Sequence, residues 1–183
     1  MQNELLATLF GFLAVAFVVT SYFVSNKKRY LYFQILNMLS FALSYLFCEN
    51  YFAMIGLSIS ALRTYVFFLY DKKEKKPPLA LAFLFSAVAV AGWAIVNVVI
   101  LGTASPVDIL LIFTTIAYTF VFKIRNLTVL RYTILVPLAV SFLYNILSWS
   151  TVFAVCSYAF EFSAAVIAIV KNKIQSKKRE KNA

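Results

Sequence analysis

Long apolar runs constrain this chain more than any other feature. About 20 residues of α-helix cross the roughly 30 Å hydrocarbon core of a bilayer, and backbone groups find no water there, so a spanning segment must be helical. Hydrophobic residues make up 63% of the chain and charged residues 13%, which excludes a water-soluble globular domain. The sequence therefore predicts an all-α, polytopic membrane helical bundle. Charges and turn residues divide it into seven transmembrane helices, at 5–25, 30–48, 51–70, 79–101, 107–122, 127–147 and 149–170.

Two places in this map are open to another interpretation. Segment 107–122 is short for a span, and the uncharged run 132–160 divides into two spans only if a tight turn forms at Ser148-Trp149-Ser150. Six spans is therefore the alternative count. The first segment has no basic flank and no small-residue cleavage site, so we do not expect a removable signal peptide.

The basic residues predict the orientation of the chain. They occur in the loops after the first, third and fifth segments and in the tail, at 27–29, 72–76, 123–125 and 171–181, whereas the opposite ends carry Glu4, Glu49 and Asp108. Positive charge collects on the cytoplasmic side, so the amino terminus is expected outside and the carboxyl terminus in the cytoplasm. Anionic lipids account for the net charge of +10, and we do not expect nucleic-acid binding.

The loops also suggest an internal repeat. Three spans run together, a fourth is set apart by proline-containing loops, and three more follow. This 3+1+3 order of parallel repeats predicts a first three-helix unit at 1–76, a linking helix at 77–104, a second unit at 105–172 and a basic cytoplasmic tail at 173–183. A shift of 98 residues places Lys27 on Arg125 and Arg63 on Glu161.

Arg63 and Glu161 are ionisable residues within apolar spans. Each lies about twelve residues from the predicted outer end of its span, near mid-depth. Charges at that depth are rare, usually face the bundle interior and usually pair or line a wet path, so the two are predicted to be partners at a solute site. The alternative for Arg63 is that its long side chain reaches the headgroups, which the shorter Glu161 cannot do.

Polar side chains recur at helical spacing on the second and sixth segments. Gln34 and Asn37 lie on one stripe and Asn145 on the other, and we take these three as further pore-lining or solute-binding candidates. Hydrogen bonds between helices are the alternative role. Pro137 removes a backbone hydrogen bond from the sixth segment, so it is a candidate hinge or a packing kink.

The sequence offers no enzymatic site. It contains no histidine, the usual general base and metal ligand, and it has no phosphate-binding loop or nucleophile elbow. We therefore expect no catalytic activity, no metal and no cofactor.

Several stretches in their order resemble the YgjV-like family of bacterial inner-membrane proteins. These are Asn26-Lys27-Lys28-Arg29, YLYFQILNMLSFALSYLF in the second span, SALRTYVFF in the third, and Asn145 followed by Glu161. The resemblance implies a bacterial inner membrane and kinship with the seven-helix PQ-loop and SWEET-like proteins.

The leading functional hypothesis is a small-solute transporter or facilitator with a polar midplane site between two three-helix units. The rival is a non-transporting membrane protein that binds a partner subunit or lipid through its helix faces. A vitamin or nucleoside-type uptake protein is a third possibility. The expected partners are the lipid bilayer, a small solute and, in a homo-oligomer, further copies of the chain.

Overall fold

The structure is a computed structural model that describes residues 2–100, 102, 105–147 and 152–181. Every regular element in these ranges is helical. The elements are α1 (Gln2–Phe23), α2 (Lys27–Phe47), α3 (Tyr51–Lys72), α4 (Leu79–Trp93, continued by a π-helix at Ala94–Ile100), α5 (Asp108–Lys123), α6 (Leu127–Thr133), α7 (Leu135–Leu147) and α8 (Val152–Lys181).

Asparagine side chains begin three of these helices. Asn26, Asn50 and Asn126 accept hydrogen bonds from backbone N–H groups in the first turns of α2, α3 and α6, which satisfies donors that a helix leaves free. The ends of α2 and α3 are closed by a residue in the left-handed region, Glu49 and Glu74, both with φ of 58°. In both places the next N–H reaches back five residues to a helix carbonyl, which is the Schellman arrangement.

The predicted spans agree with the helices to within a few residues, apart from the tail. Six helical stretches are long and apolar enough to cross a membrane, at Asn3–Phe23, Lys27–Phe47, Ala53–Lys72, Leu79–Val99, Leu127–Leu147 and Val155–Ile174. The remaining predicted span, 107–122, corresponds to α5, which has 16 residues. The predicted turn at 148–150 lies outside the described residues, and the basic tail continues α8 as a helix to Lys181.

The helices pack as two groups with two main contacts between them. In one group α1 packs on α2 and α2 on α3, and in the other α5 packs on α7 and α7 on α8. The groups meet where α1 contacts α8 and where α3 contacts α5, while α4 packs on α5. We call the end that carries connections 24–26, 73–78 and 124–126 the basic end. Large apolar side chains remain exposed around the bundle, as lipid-facing surfaces require.

Candidate functional site

Arg63 lies buried between α3 and α5. It stands ten residues after Ala53 and nine before Lys72 in its span, roughly 15 Å from either end, and only 5% of its surface is exposed. Its Nη1 donates to the carbonyl oxygen of Thr115 at 3.2 Å and to Oγ1 of Thr119 at 2.8 Å. The guanidinium therefore faces the bundle interior and does not reach toward headgroups.

A phenylalanine ring supplies the other contact of Arg63. Its Cζ atom lies 5.6 Å from the centre of the Phe122 ring, a distance at which the ring face attracts a cation. The Arg63 Nε–H group is buried and makes no hydrogen bond. The site thus meets a full positive charge with two neutral oxygen acceptors and one aromatic ring.

Glu161 occupies the other contact between the helix groups, where α8 meets α1. Its Oε1 accepts a hydrogen bond of 2.9 Å from the hydroxyl of Tyr22. Three more tyrosines, Tyr30, Tyr118 and Tyr158, lie close enough to interact electrostatically with the carboxylate. We call Tyr22 and these three the tyrosine cluster.

Arg63 and Glu161 are not partners of one another. The hydrogen bonds of each run to different residues, and no ion pair joins the two in the described part of the chain. Three rings stand in sequence between them. Tyr22 meets Tyr30 edge to face at 5.7 Å, and Tyr30 meets Phe122 at 6.4 Å. We call Tyr22, Tyr30 and Phe122 the aromatic bridge.

The bridge is built by two similar helix connections. Tyr22 lies in the last turn of α1 and Tyr30 in the first turn of α2, and the connection 24–26 folds the chain back between them. Asn26 fixes that reversal because its side chain caps α2. Phe122 likewise lies in the last turn of α5, just before connection 124–126 and the Asn126 cap of α6.

The predicted amide residues are all buried, with different partners. Gln34 Nε2 donates to Ser21 Oγ at 3.0 Å and to the Tyr30 hydroxyl at 3.3 Å, which links α2 to α1 and to the tyrosine cluster. Asn145 Nδ2 donates to the Ser141 carbonyl within its own helix. Asn37 Oδ1 is buried and has no hydrogen-bond partner, an unusual and costly state for an amide oxygen.

Pro137 interrupts the sixth span. The break between α6 and α7 falls at Ile134, one residue after Thr133, whose carbonyl would accept the N–H that proline lacks. The proline ring also clashes with the carbonyl four residues earlier. Its side chain is fully buried, so the kink lies inside the bundle.

A charged cavity of about 490 Å³ opens at the basic end. Its lining does not include the predicted site residues. Lys27 Nζ lies 3.2 Å from Asp71 Oδ1, and Lys28 Nζ lies 3.5 Å from Glu74 Oε1. The cavity is lined by Ser25, Asn26, Lys27, Lys28, Asp71, Glu74, Arg125 and Leu127. Within the described ranges, no three side chains of Cys, Asp or Glu come together as a metal site.

A family model for bacterial inner membrane proteins, Imp-YgjV, matches residues 5–175. The chain belongs to this Imp-YgjV family. Together with the six spans, membership makes it a multi-pass protein of a bacterial inner membrane. No curated protein and no solved structure matches the chain.

Sequence reasoning missed most of what surrounds the two charges in this Imp-YgjV protein. Tyr22, Tyr30 and Phe122 look like ordinary aromatic residues near helix ends, which membrane interfaces also favour. A shift of 100 residues, in place of 98, brings Asn26 onto Asn126 and Tyr22 onto Phe122. That alignment of the helix caps is the signal that points to them.

Proposed function

We propose that the protein is a small-solute transporter or facilitator whose site lies between two three-helix units. The first unit comprises α1 to α3, the second comprises α5 to α8 with α6 and α7 as one bent helix, and α4 links them. Relative motion of the two units would expose the site to each side of the membrane in turn.

The helix bounds support a repeat of this kind. α1 ends at Phe23 and α5 at Lys123, α2 begins at Lys27 and α6 at Leu127, and α2 ends at Phe47 and α7 at Leu147. Each pair is separated by 100 residues. A common offset at three independent boundaries is what duplication of one unit produces.

The contacts between the groups support a pseudo-two-fold relation. The first helix of one unit, α1, packs on the last helix of the other, α8, and α5 makes a smaller contact with α3. A two-fold axis generates such reciprocal contacts. One rotation about that axis would alter both contacts together.

One observation carries the proposal more than any other. Glu161 contacts Tyr22 in one of these two contacts, and Arg63 contacts Phe122 in the other. Tyr22 and Phe122 are 100 residues apart, which is the offset between the two units, so they occupy equivalent positions. The negative Glu161 contacts one of them and the positive Arg63 contacts the other. Ionisable residues inside a membrane are costly and usually functional, and here both lie where the units would part.

The amide residues and the proline fit the same scheme. Gln34 and Asn37 on α2 and Asn145 on α7 would line the path beside the charges, and the unpaired Oδ1 of Asn37 would bind solute or water there. Pro137 would act as the hinge of the sixth span. We further propose that the basic end faces the cytoplasm, which places the amino terminus outside.

Accessibility of interior positions tests the proposal without knowledge of the solute. Both native cysteines, Cys48 and Cys156, are exposed and free, so Cys48→Ser with Cys156→Ser provides a background for single cysteines. In right-side-out and inverted vesicles, Asn37→Cys and Asn145→Cys are expected to react with a membrane-impermeant thiol reagent from both sides. Ala14→Cys, at a fully buried apolar position of α1, is the matched control and should react from neither.

Labelling of the two test positions from neither side, or from one side only, would contradict alternating access. It would favour the rival function, in which the polar stripes make contacts between helices and the outer faces bind a partner subunit or lipid.

A further inference from the structure

The guanidinium of Arg63 is engaged at one nitrogen only. Both hydrogen bonds that it makes leave from Nη1, to Thr115 and Thr119. The Nε–H group is buried without a partner. The edge formed by Nε and Nη2, which presents parallel N–H groups, is left without a protein acceptor among the described residues.

This edge is the part of arginine that recognises anions best. Its N–H groups match the two oxygens of a carboxylate or phosphate and bind them through a pair of parallel hydrogen bonds. The bonds from Nη1 and the Phe122 ring hold the guanidinium plane in place. The free edge is therefore oriented before any ligand arrives, which reduces the entropy cost of binding.

The charge balance selects the kind of anion. Glu161 is held by Tyr22 beyond the aromatic bridge, so it does not neutralise Arg63 directly. A ligand with one negative charge therefore balances the single positive charge of Arg63. A dianion such as a phosphate monoester would bring an excess charge into a low-dielectric interior, where it is strongly disfavoured.

We infer that the Nε–Nη2 edge of Arg63 binds the carboxylate of a small, singly charged organic anion. The inference rests on the proposed function, because Arg63 lies in the α3–α5 contact that would open when the two units move. Because no Asp or Glu side chain among the described residues binds the Nε–Nη2 edge, the ligand carboxylate would not have to displace one. The carboxylate oxygens accept the hydrogen bond that Nε–H lacks in the ligand-free state.

Thermal unfolding of the purified full-length protein in phosphatidylcholine nanodiscs provides the test. The probes are propionate, lactate and benzoate, each paired with its neutral amide, together with inorganic phosphate. At least one carboxylate is expected to raise Tm by about 5–10 °C at a concentration one hundred times its Kd. Its amide, which has the same shape but no charge, and phosphate should raise Tm far less.

Arginine variants identify the residue that binds. Arg63→Lys keeps the charge but loses the paired N–H edge, and we expect carboxylate binding at least 10-fold weaker. Arg63→Gln should abolish the response. Arg125→Gln, at an exposed arginine, is the matched control and should leave the Kd unchanged.

The comparison of each carboxylate with its amide on the unaltered protein needs no variant, so it holds even where Arg63→Gln fails to fold. Equal responses to acid and amide, no response to any carboxylate at 100 mM, or full binding by Arg63→Lys would each overturn the inference. So would Arg63-dependent stabilisation that appears only in nanodiscs with phosphatidylglycerol, since the anion would then be a lipid.

The two proposals can fail separately. Carboxylate binding without two-sided labelling of Asn37→Cys and Asn145→Cys would sustain an anion site in a protein that does not transport. Two-sided labelling with no preference for carboxylates would sustain transport and reject the anion.

Discussion

The ion pair between Lys27 and Asp71 gives the sharpest test of how the basic end is held together. Lys27 is the first residue of α2 and Asp71 the last but one of α3, so the pair closes these neighbouring helices at one end. The two charged atoms are 3.2 Å apart, and the side chains are only 6% and 11% exposed. Asp71→Asn would leave the Lys27 ammonium buried beside a neutral amide.

The expected cost follows from that burial. Removing one partner of a fully buried ion pair costs about 3–5 kcal/mol, because the remaining charge stays desolvated. The pair borders the charged cavity, so water can partly solvate the Lys27 ammonium in the variant. We therefore expect a loss of unfolding free energy at the lower end of this range, about 3 kcal/mol. For a chain of this size such a loss lowers Tm by about 6–12 °C.

The chain supplies its own control in the neighbouring pair. Lys28 and Glu74 are 3.5 Å apart but 39% and 77% exposed, and exposed pairs contribute about 0–1 kcal/mol. Glu74→Gln should therefore lower Tm by about 4 °C or less. In detergent micelles, thermal unfolding followed by circular dichroism measures both variants.

A second control removes the Lys27 ammonium that Asp71→Asn leaves without a partner. Lys27→Met with Asp71→Asn should recover part of the Tm that Asp71→Asn loses, since no buried charge remains without a partner. If Asp71→Asn melts within 2 °C of Glu74→Gln, or if the double variant is less stable than Asp71→Asn, burial does not determine the strength of this pair.

Three further changes test other parts of the structure. Tyr22→Phe removes the hydrogen bond to Glu161, and a loss of about 1–3 kcal/mol is expected in equilibrium unfolding; an unchanged stability would mean that the bond contributes nothing. Asn126→Ala should cost about 1 kcal/mol in the same assay through loss of the α6 cap, whereas Asn126→Ser should cost little. Glu49→Gly should leave stability unchanged or raise it by up to about 1 kcal/mol, because glycine adopts the positive φ without strain; a clear loss would refute that account of the α2 end.

The helix positions were predictable because the bilayer fixes the length of a span. Segment 51–70 was expected and Tyr51–Lys72 is observed, and 127–147 was expected where α6 and α7 together cover Leu127–Leu147. The helix is interrupted at Ile134 near Pro137, and whether Pro137 acts as a hinge stays a prediction. The π-helix at Ala94–Ile100 was not predicted, because no residue type in that stretch demands hydrogen bonds to the fifth residue in place of the fourth.

The charges of the site were easier to predict than their partners. Arg63 is buried and Glu161 half-buried, which follows from the cost of exposing a charge to lipid. Their contacts depend on how helices far apart in the sequence come together, and Tyr22 lies 139 residues from Glu161. The sequence predicted a pair because opposite charges attract, but in the structure Glu161 accepts from a phenol and Arg63 contacts two threonines and a ring.

Keeping the two charges apart has a chemical consequence that a direct pair would not have. A bidentate Arg63–Glu161 pair would satisfy both groups, and a solute would then have to break it before binding either one. In the structure the two groups are joined instead through the ring contacts of the aromatic bridge, Tyr22, Tyr30 and Phe122. Each charge is instead held by weaker, neutral partners, so an ion of opposite sign can replace them at lower cost. Under the proposed function, the separation would leave two half-sites, one for an anion at Arg63 and one for a proton or a cation at Glu161, whose carboxylate lies within electrostatic reach of the tyrosine cluster.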